Sequence, residues 1–161
     1  MRSLMLVATL LAAGCGGSMF SQQIADYRAT ANSLDTTVDA HAKSAAAADP
    51  STCLAAMADY ARQAGVLVDR MQSMSGGMDQ CMSSLSGAGR AGFAAGCAAI
   101  RSELDAHAKN GCSAQNLAAE MTRHAAAMKA HTSQEIDRMG QMQGMENGTG
   151  SSMMSGLQGC H

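Results

Sequence analysis

Residues 24–45 of this chain read IADYRATANSLDTTVDAHAKSA, and small or apolar side chains recur in this stretch at alternating steps of three and four. Such spacing puts the recurring positions on one face of an α-helix. We therefore predict a first helix over residues 19–48 that buries this face. The recurring positions are Ile24, Tyr27, Ala31, Leu34, Val38, His41 and Ala45.

Three more segments carry the same spacing and predict three further helices. The second starts at Pro50, with Asp49 as its N-cap, and is expected to stop at Gly76-Gly77. The third ends at Asn110-Gly111, a common helix stop. The fourth follows Ser113, which we take as its N-cap. The predicted buried faces are Leu54, Met57, Ala61, Ala64, Val68 and Met71; then Phe93, Cys97, Ile100, Leu104 and His107; then Leu117, Met121, His124, Met128 and His131.

The composition favours the same architecture. The 161 residues include 32 Ala and 15 Met but only 2% aromatic residues, and few β-branched or aromatic side chains are present to build strands. We therefore predict an all-α fold, an up-down-up-down four-helix bundle. The expected organisation is a signal peptide at 1–14, a lipidated linker at 15–18, the bundle at 19–139 and a flexible Met/Gly/Ser-rich tail at 140–161. A net charge of −2 gives no basic field for nucleic acid.

An internal repeat indicates that the bundle consists of two similar helical hairpins. The segment VDAHAK at 38–43 is echoed by LDAHAK at 104–109, and Leu54-Ala55-Ala56 by Leu117-Ala118-Ala119. The repeat makes His41 and His107 equivalent positions.

The first fifteen residues have the pattern of a targeting segment. Arg2 supplies a positive charge, and the apolar run that follows is too short to span a bilayer as a mature helix. The run Leu11-Ala12-Ala13-Gly14-Cys15 resembles the lipobox of bacterial lipoproteins, with Ala12 where Leu is usual. The resemblance implies that Cys15 is acylated and anchors the mature chain to a membrane. An ordinary cleaved signal peptide, leaving Cys15 as a thiol, is the alternative.

The residues after Cys15 bear on the membrane. Gly16-Gly17 lack the Asp that, in the lipoprotein family, marks retention at the inner membrane. The resemblance therefore implies an outer-membrane lipoprotein facing the periplasm.

The cysteines are expected to form disulfides in such an oxidising compartment. In an up-down-up-down bundle, Cys53 and Cys112 lie beside the two hairpin turns at one end, and Cys81 and Cys97 flank the connection at the other. We predict the pairs Cys53–Cys112 and Cys81–Cys97, with Cys160 left over and able to replace either member of the second pair. Thiolate binding of a soft metal is the rival interpretation, although no Cys-x-x-Cys spacing is present.

The chemistry suggested by the sequence lies in its His and Met residues. The fourth helix carries Met121, His124, Met128 and His131 on one face, and this pattern resembles the Met/His pairs of periplasmic silver- and copper-binding proteins. Thioether and imidazole ligands suit soft ions, so the resemblance implies Cu(I) or Ag(I). The expected supporting ligands, at a similar depth in the bundle, are His41, His107 and Met57.

Carboxylates stand four residues from three of these histidines. Glu103 and Glu120 precede His107 and His124, and Glu135 follows His131, so each carboxylate is expected either to bond the histidine of its own helix or to form a surface pair. Core methionines and core histidines with local hydrogen bonds are the alternative interpretation of the same residues.

Other chemistries have little support. The final Cys160-His161 lacks the first Cys of a haem attachment motif, so no haem is expected. No phosphate-binding loop or nucleophile motif is present, and we expect no enzymatic activity. The alternative function is a structural or interaction lipoprotein that binds no metal and packs against an unknown envelope protein.

Overall fold

The chain folds into four long helices. The computed structural model describes residues 17–46, 48–82 and 90–148, and no strand occurs in them. The helices are α1 (Gly17–Ala45), α2 (Pro50–Met82), α3 (Arg90–Asn110) and α4 (Leu117–Gly148), and a short 3-10 turn, η1 (Gly111–Ser113), joins the last two. The predicted all-α four-helix bundle is confirmed.

The helices form a ring in chain order. α1 packs against α2 and α4, and α3 packs against the same two helices. Polar contacts between α1 and α4 fix their relative direction: Asp35 accepts a hydrogen bond from Thr132, and Asp39 accepts one from Lys129. Because later residues of α1 meet earlier residues of α4, these two helices are antiparallel.

The predicted face of α1 is buried at all seven positions, whereas the face of α2 is shifted. Leu54, expected in the core, is 65% exposed, and Cys53 is buried in its place. Tyr60 is also buried, one position before the predicted Ala61. The four other predicted positions, apart from the half-buried Ala61, are buried, and Cys53 is tied to η1 through a disulfide. The core residues at the predicted positions of α1 are Ile24, Tyr27, Ala31, Leu34, Val38, His41 and Ala45.

The predicted N-cap of α2 is confirmed, whereas the predicted N-cap of α4 is not. Asp49 Oδ1 accepts hydrogen bonds from the backbone N–H groups of Ser51 and Thr52, as predicted for the start of α2. The predicted cap of α4, Ser113, is wrong, because this residue lies in η1 and donates to the Asn110 carbonyl. Asn116 caps α4 instead, since its Oδ1 accepts from the Ala119 N–H.

Two helices continue beyond their predicted ends. α2 runs through Gly76-Gly77 to Met82, and Met78, just past the glycines, is fully buried. α4 continues to Gly148, so the expectation of a flexible tail from residue 140 is wrong over 140–148. In both places tertiary packing or good helix-forming neighbours outweigh the cost of a helical glycine, about 1 kcal/mol each.

Of the two predicted disulfides, one is confirmed. Cys53 and Cys112 are bonded, with their Cα atoms 5.8 Å apart. The predicted Cys81–Cys97 bond stays a prediction; Cys97 is buried, and its sulfur lies 3.4 Å from Tyr27 Oη and 3.8 Å from Ser75 Oγ. The side chain of Cys81 lies outside the described residues.

Several predictions fall on parts of the chain beyond the described residues. They are the signal peptide, the lipobox with Cys15, the end of the tail and Cys160. Within the described part, no helix combines the length and the apolar character needed to cross a membrane.

Candidate functional site

Four aromatic rings, one from each helix, meet near the end of the bundle that holds the disulfide. They are His41 from α1, Tyr60 from α2, His107 from α3 and His124 from α4, and we call them the His cluster. All four are buried, with at most 5% of any residue exposed. Their positions follow from the helical spacing, because each lies on the inward face of its helix.

The histidines of α3 and α4 are held by carboxylates that cross between the two helices. His107 Nδ1 lies 3.0 Å from Glu120 Oε1, and His124 Nδ1 lies 2.8 Å from Glu103 Oε1. The predicted partners within one helix, Glu103 with His107 and Glu120 with His124, are therefore wrong. Because the helices are antiparallel neighbours, an inward histidine on one faces a carboxylate at the edge of the other.

Arg123 joins the two carboxylates at the surface. Its guanidinium lies 3.0 Å from Glu103 Oε1 and 2.8 Å from both oxygens of Glu120. The Arg123 hydrogen bond lowers the pKa of Glu120 to about 2. Burial acts to raise the pKa of Glu103, but hydrogen bonds from His124 and Arg123 outweigh it and lower this pKa. Both carboxylates are therefore ionised at neutral pH.

The three histidines of the cluster are neutral at pH 7. Burial, followed by the neighbouring His107 and His124, lowers the pKa of His41 to about 4. Burial lowers the pKa of His124 to about 4 and also lowers that of His107, in each case against the opposing effect of the bonded carboxylate. A neutral imidazole carries one proton.

The carboxylates determine where that proton lies on His107 and His124. An ionised carboxylate only accepts hydrogen bonds, so each Nδ1 must donate and each Nε2 carries a lone pair. The Nε2 of His124 uses its lone pair to accept a hydrogen bond from Tyr60 Oη, 2.7 Å away. The Nε2 of His107 instead faces His41.

His41 and His107 point their Nε2 atoms at each other. The two nitrogens are 3.3 Å apart and the ring planes are inclined by 80°. The ring centroids, at 5.5 Å, are only 2.2 Å farther apart than the nitrogens, which is almost the sum of two centroid-to-nitrogen distances. The pair is therefore arranged nearly in line, with a separation slightly longer than the usual range of an N–H hydrogen bond.

The four rings of the His cluster form two stacked pairs. His107 stacks on His124 with centroids 3.7 Å apart and planes inclined by 6°, and His41 stacks on Tyr60 at 4.0 Å and 8°. Lone pairs of stacked imidazoles run side by side and do not converge. One ion can therefore be shared by His41 and His107, but not by His107 and His124 as they stand.

Met57 borders the same site from α2. A Cβ on Gly111 would lie 2.6 Å from the Met57 methyl carbon and 2.8 Å from His107 Cε1. The same point lies 3.0 Å from His107 Nδ1, so the Met57 methyl group lies near the Nδ1–Cε1 edge of the His107 ring. The backbone of η1 covers the two side chains at this point.

The remaining predicted ligands are less closely associated with the cluster. Met121 and Met128 are buried on α4, on the same face as His124. His131 is half-buried and lies seven residues beyond His124, about 10 Å along the helix axis. Glu135, its predicted partner, is buried and forms an ion pair with Arg138. Of the predicted ligands, the structure brings His41, His107 and His124 together, with Met57 bordering His107, whereas His131 lies apart from them.

Sequence analysis missed Tyr60 and Arg123. Tyr60 is one of only two tyrosines and follows Met57 by three residues, so the helical spacing alone contained a signal for it. Arg123 gave no such signal, because it is 51% exposed in its side chain and its role depends on the approach of α3.

Comparison with known proteins gives no further assignment. No protein-family model, curated protein or solved structure matches this chain. In the described part of the chain, no three His, Cys, Asp or Glu side chains are grouped so that they could hold a metal ion.

Proposed function

We propose that this protein binds one soft monovalent ion, Cu(I) or Ag(I), between His41 Nε2 and His107 Nε2. The observation that carries the proposal is the in-line arrangement of these two buried nitrogens, 3.3 Å apart. Ions with a filled d shell, such as Cu(I) and Ag(I), accept two nitrogen ligands in a line. A site of two histidines therefore meets their need without a larger ligand group.

The protonation states support binding of a cation. Both rings are neutral at pH 7, and the Glu120 bond to Nδ1 leaves a lone pair on His107 Nε2. A carboxylate at the other ring nitrogen is the usual arrangement of a metal-ligating histidine. His41 donates its Nε2 proton to His107 in the absence of an ion, and it ligates once that proton has moved to Nδ1.

Only a small adjustment is needed to admit the ion. With metal–nitrogen distances of about 2.0 Å, an ion in line requires the two nitrogens to be about 4 Å apart. The rings must therefore separate by about 0.7 Å from their present 3.3 Å. The thioether of Met57, whose methyl carbon borders the Cε1–Nδ1 edge of His107, makes the surroundings of the site softer and favours a soft ion over a hard one.

Hard divalent ions are disfavoured at the opposite side of the histidines. The oxygens of Glu103 and Glu120 that such ions prefer already bond the Arg123 guanidinium and the two Nδ1 atoms. A divalent ion that bound Glu103 and Glu120 would have to displace the Arg123 guanidinium.

We also propose that the protein acts in the cell envelope, anchored through an acylated Cys15. The support is the lipobox-like run at 11–15 together with the disulfide between Cys53 and Cys112, which is characteristic of an oxidising compartment. A bundle held near the outer membrane would sequester soft ions from the periplasm.

The decisive experiment is a Cu(I) titration of the oxidised protein. Ascorbate, which leaves disulfides intact, would keep copper reduced, and a chromophoric Cu(I) chelator would compete for it. We expect one tightly held equivalent in the wild type, at least a tenfold weaker site in His41→Ala and an unchanged site in the matched control His131→Ala. Circular dichroism would verify that the variants keep their helices.

Two results would contradict this assignment. If His41→Ala binds Cu(I) as tightly as the wild type, the in-line pair is not the site. If His131→Ala weakens binding as much as His41→Ala does, the ion is held by the Met/His residues of α4, as the sequence first indicated.

A further inference from the structure

The disulfide Cys53–Cys112 lies directly above the candidate ion site. Cys53 stands four residues before Met57 on the buried side of α2, so its side chain lies one helical turn above the thioether. Cys112 follows Gly111, whose backbone covers Met57 and His107. Three sulfur-bearing side chains, from two elements, are therefore found within about one turn of helix, or about 5.4 Å.

This end of the bundle is held by more than the disulfide. η1 packs against α2, α3 and α4, and Gly111 is buried. Cys112 packs against the hydrophobic core, and Cys53 is fully buried. The two cysteine positions therefore stay close together when the covalent bond between their sulfurs is broken.

We propose that reduction of Cys53–Cys112 creates a second soft-metal site, in which the two thiolates ligate Cu(I) or Ag(I) with the Met57 thioether beside them. Thiolate and thioether sulfur are the ligands these ions prefer. The proposal concerns different ligand atoms from the His41–His107 pair and holds whether or not that pair binds an ion.

The Cα separation is compatible with this ligation. The two Cα atoms are 5.8 Å apart. Sulfurs that share one ion at about 2.3 Å each lie about 4 Å apart, and rotation of the two side chains allows this from the observed backbone positions. No movement of the helices is required.

A dithiol can reduce the Cys53–Cys112 disulfide by thiol–disulfide exchange. One thiolate of the dithiol attacks a sulfur of the disulfide, and the second completes the exchange, so the reductant ends as a disulfide and Cys53 and Cys112 as thiols. Two electrons and two protons are transferred in total. The thiols then lose their two protons when both sulfurs ligate the ion.

The test compares Cu(I) uptake by the fully reduced and the oxidised protein under anaerobic conditions. Tris(2-carboxyethyl)phosphine would serve as the reductant, and the ultraviolet thiolate-to-Cu(I) charge-transfer band as the readout. As Cu(I) is added, we expect the band of the reduced wild type to grow over one more equivalent of Cu(I) than the band of the reduced double variant Cys53→Ser/Cys112→Ser. The matched control, Cys97→Ser, removes a buried thiol at the other end of the bundle and is expected to keep this equivalent.

The outcomes separate this proposal from the preceding one. Equal band intensity in reduced wild type and the double variant would overturn the thiolate site. The variant His41→Ala is expected to keep the band when reduced, although it loses Cu(I) binding when oxidised. If the double variant does not fold, the single variant Cys112→Ser, at a half-buried position, replaces it, and an undiminished band there would be equally contradictory.

Discussion

Gly111 determines how closely η1 can approach the candidate site. The position of a Cβ on this residue is only 2.6 Å from the Met57 methyl carbon and 2.8 Å from His107 Cε1. The methionine methyl is the end of a flexible side chain, but the His107 ring is fixed by Glu120 and by stacking on His124. Any side chain larger than hydrogen must therefore displace η1 or the ring.

We expect Gly111→Ala to lower the free energy of unfolding by about 1–3 kcal/mol, the usual cost of overpacking. The matched control is Gly76→Ala, because Gly76 is exposed within α2 and a Cβ there meets nothing within 4 Å. This change is expected to stabilise the protein by about 0.5–1 kcal/mol, since Ala favours a helix over Gly. Urea denaturation would measure both, and equal effects of the two substitutions would contradict the packing argument.

At the scale of single residues, the sequence correctly predicted that His41, His107 and His124 are buried, but His131, predicted on the same face of α4, is only half-buried. The sequence did not predict the correct hydrogen-bond partners. Periodicity identified His41, His107 and His124 as inward-facing, because burial depends on the face of the helix alone. It assigned Glu103 and Glu120 to the wrong histidines, because the four-residue rule describes neighbours within one helix. The correct pairs depend on how far α3 and α4 are offset along each other, which no local pattern encodes.

At the scale of an element, the start of α4 depends on a single amide side chain. Asn116 Oδ1 accepts a hydrogen bond from the Ala119 N–H, 3.0 Å away, and the Asn116 backbone carbonyl accepts one from the backbone N–H of Glu120. Glu120 is also the carboxylate that orients His107. The cap therefore fixes the helical turn from which one side of the candidate site is built.

We expect Asn116→Ala to cost about 1 kcal/mol of stability, the typical value for loss of an N-cap. The matched control is Ser113→Ala, at the position that the sequence favoured as the cap. Its exposed hydroxyl donates a hydrogen bond to the carbonyl of Asn110, the last residue of α3, so we expect a change within about 0.5 kcal/mol. Thermal and urea unfolding would rank the two variants, and a larger loss for Ser113→Ala would reverse our assignment of the cap.

The helix ends show where element prediction succeeded and failed. Asp49 before Pro50 marked the start of α2 correctly, because a cap acts through its own backbone neighbours. Gly76-Gly77 did not end that helix. Glycine weakens a helix without preventing it, and the burial of Met78 beyond the pair outweighs the cost.

At the scale of the whole molecule, the His cluster makes stability depend on pH. His41 and His124 have their pKa lowered to about 4 in the folded protein, against about 6.5 for histidine in an unfolded chain. Between these values the unfolded chain binds protons that the folded core excludes. The resulting stability is fully present above pH 6.5 and is lost as the pH falls towards 4.

We expect the free energy of unfolding to fall over this range by about 1.4 kcal/mol per pH unit for each of these two histidines. Glu120 adds little there, because the pKa of about 2 moves its own contribution to lower pH. Urea denaturation between pH 7.5 and 4.5 would measure the slope. His41→Gln is expected to reduce the slope by about 1.4 kcal/mol per pH unit, the contribution of one histidine. His131→Gln leaves the His cluster intact and serves as the control. A flat profile in the wild type would show that the cluster accepts protons without penalty.

The His cluster has a further consequence for how the helices align lengthwise. The apolar core tolerates repacking, because six of its buried side chains are flexible methionines, so apolar contacts alone fix the lengthwise position of the helices only weakly. A displacement of α4 by one turn, about 5.4 Å, would break the bond between Tyr60 and His124 and both crossing carboxylate bonds at once. The hydrogen bonds of the His cluster therefore set the register of the four helices. Variants that replace the cluster with apolar residues should keep their helices but lose a unique lengthwise alignment.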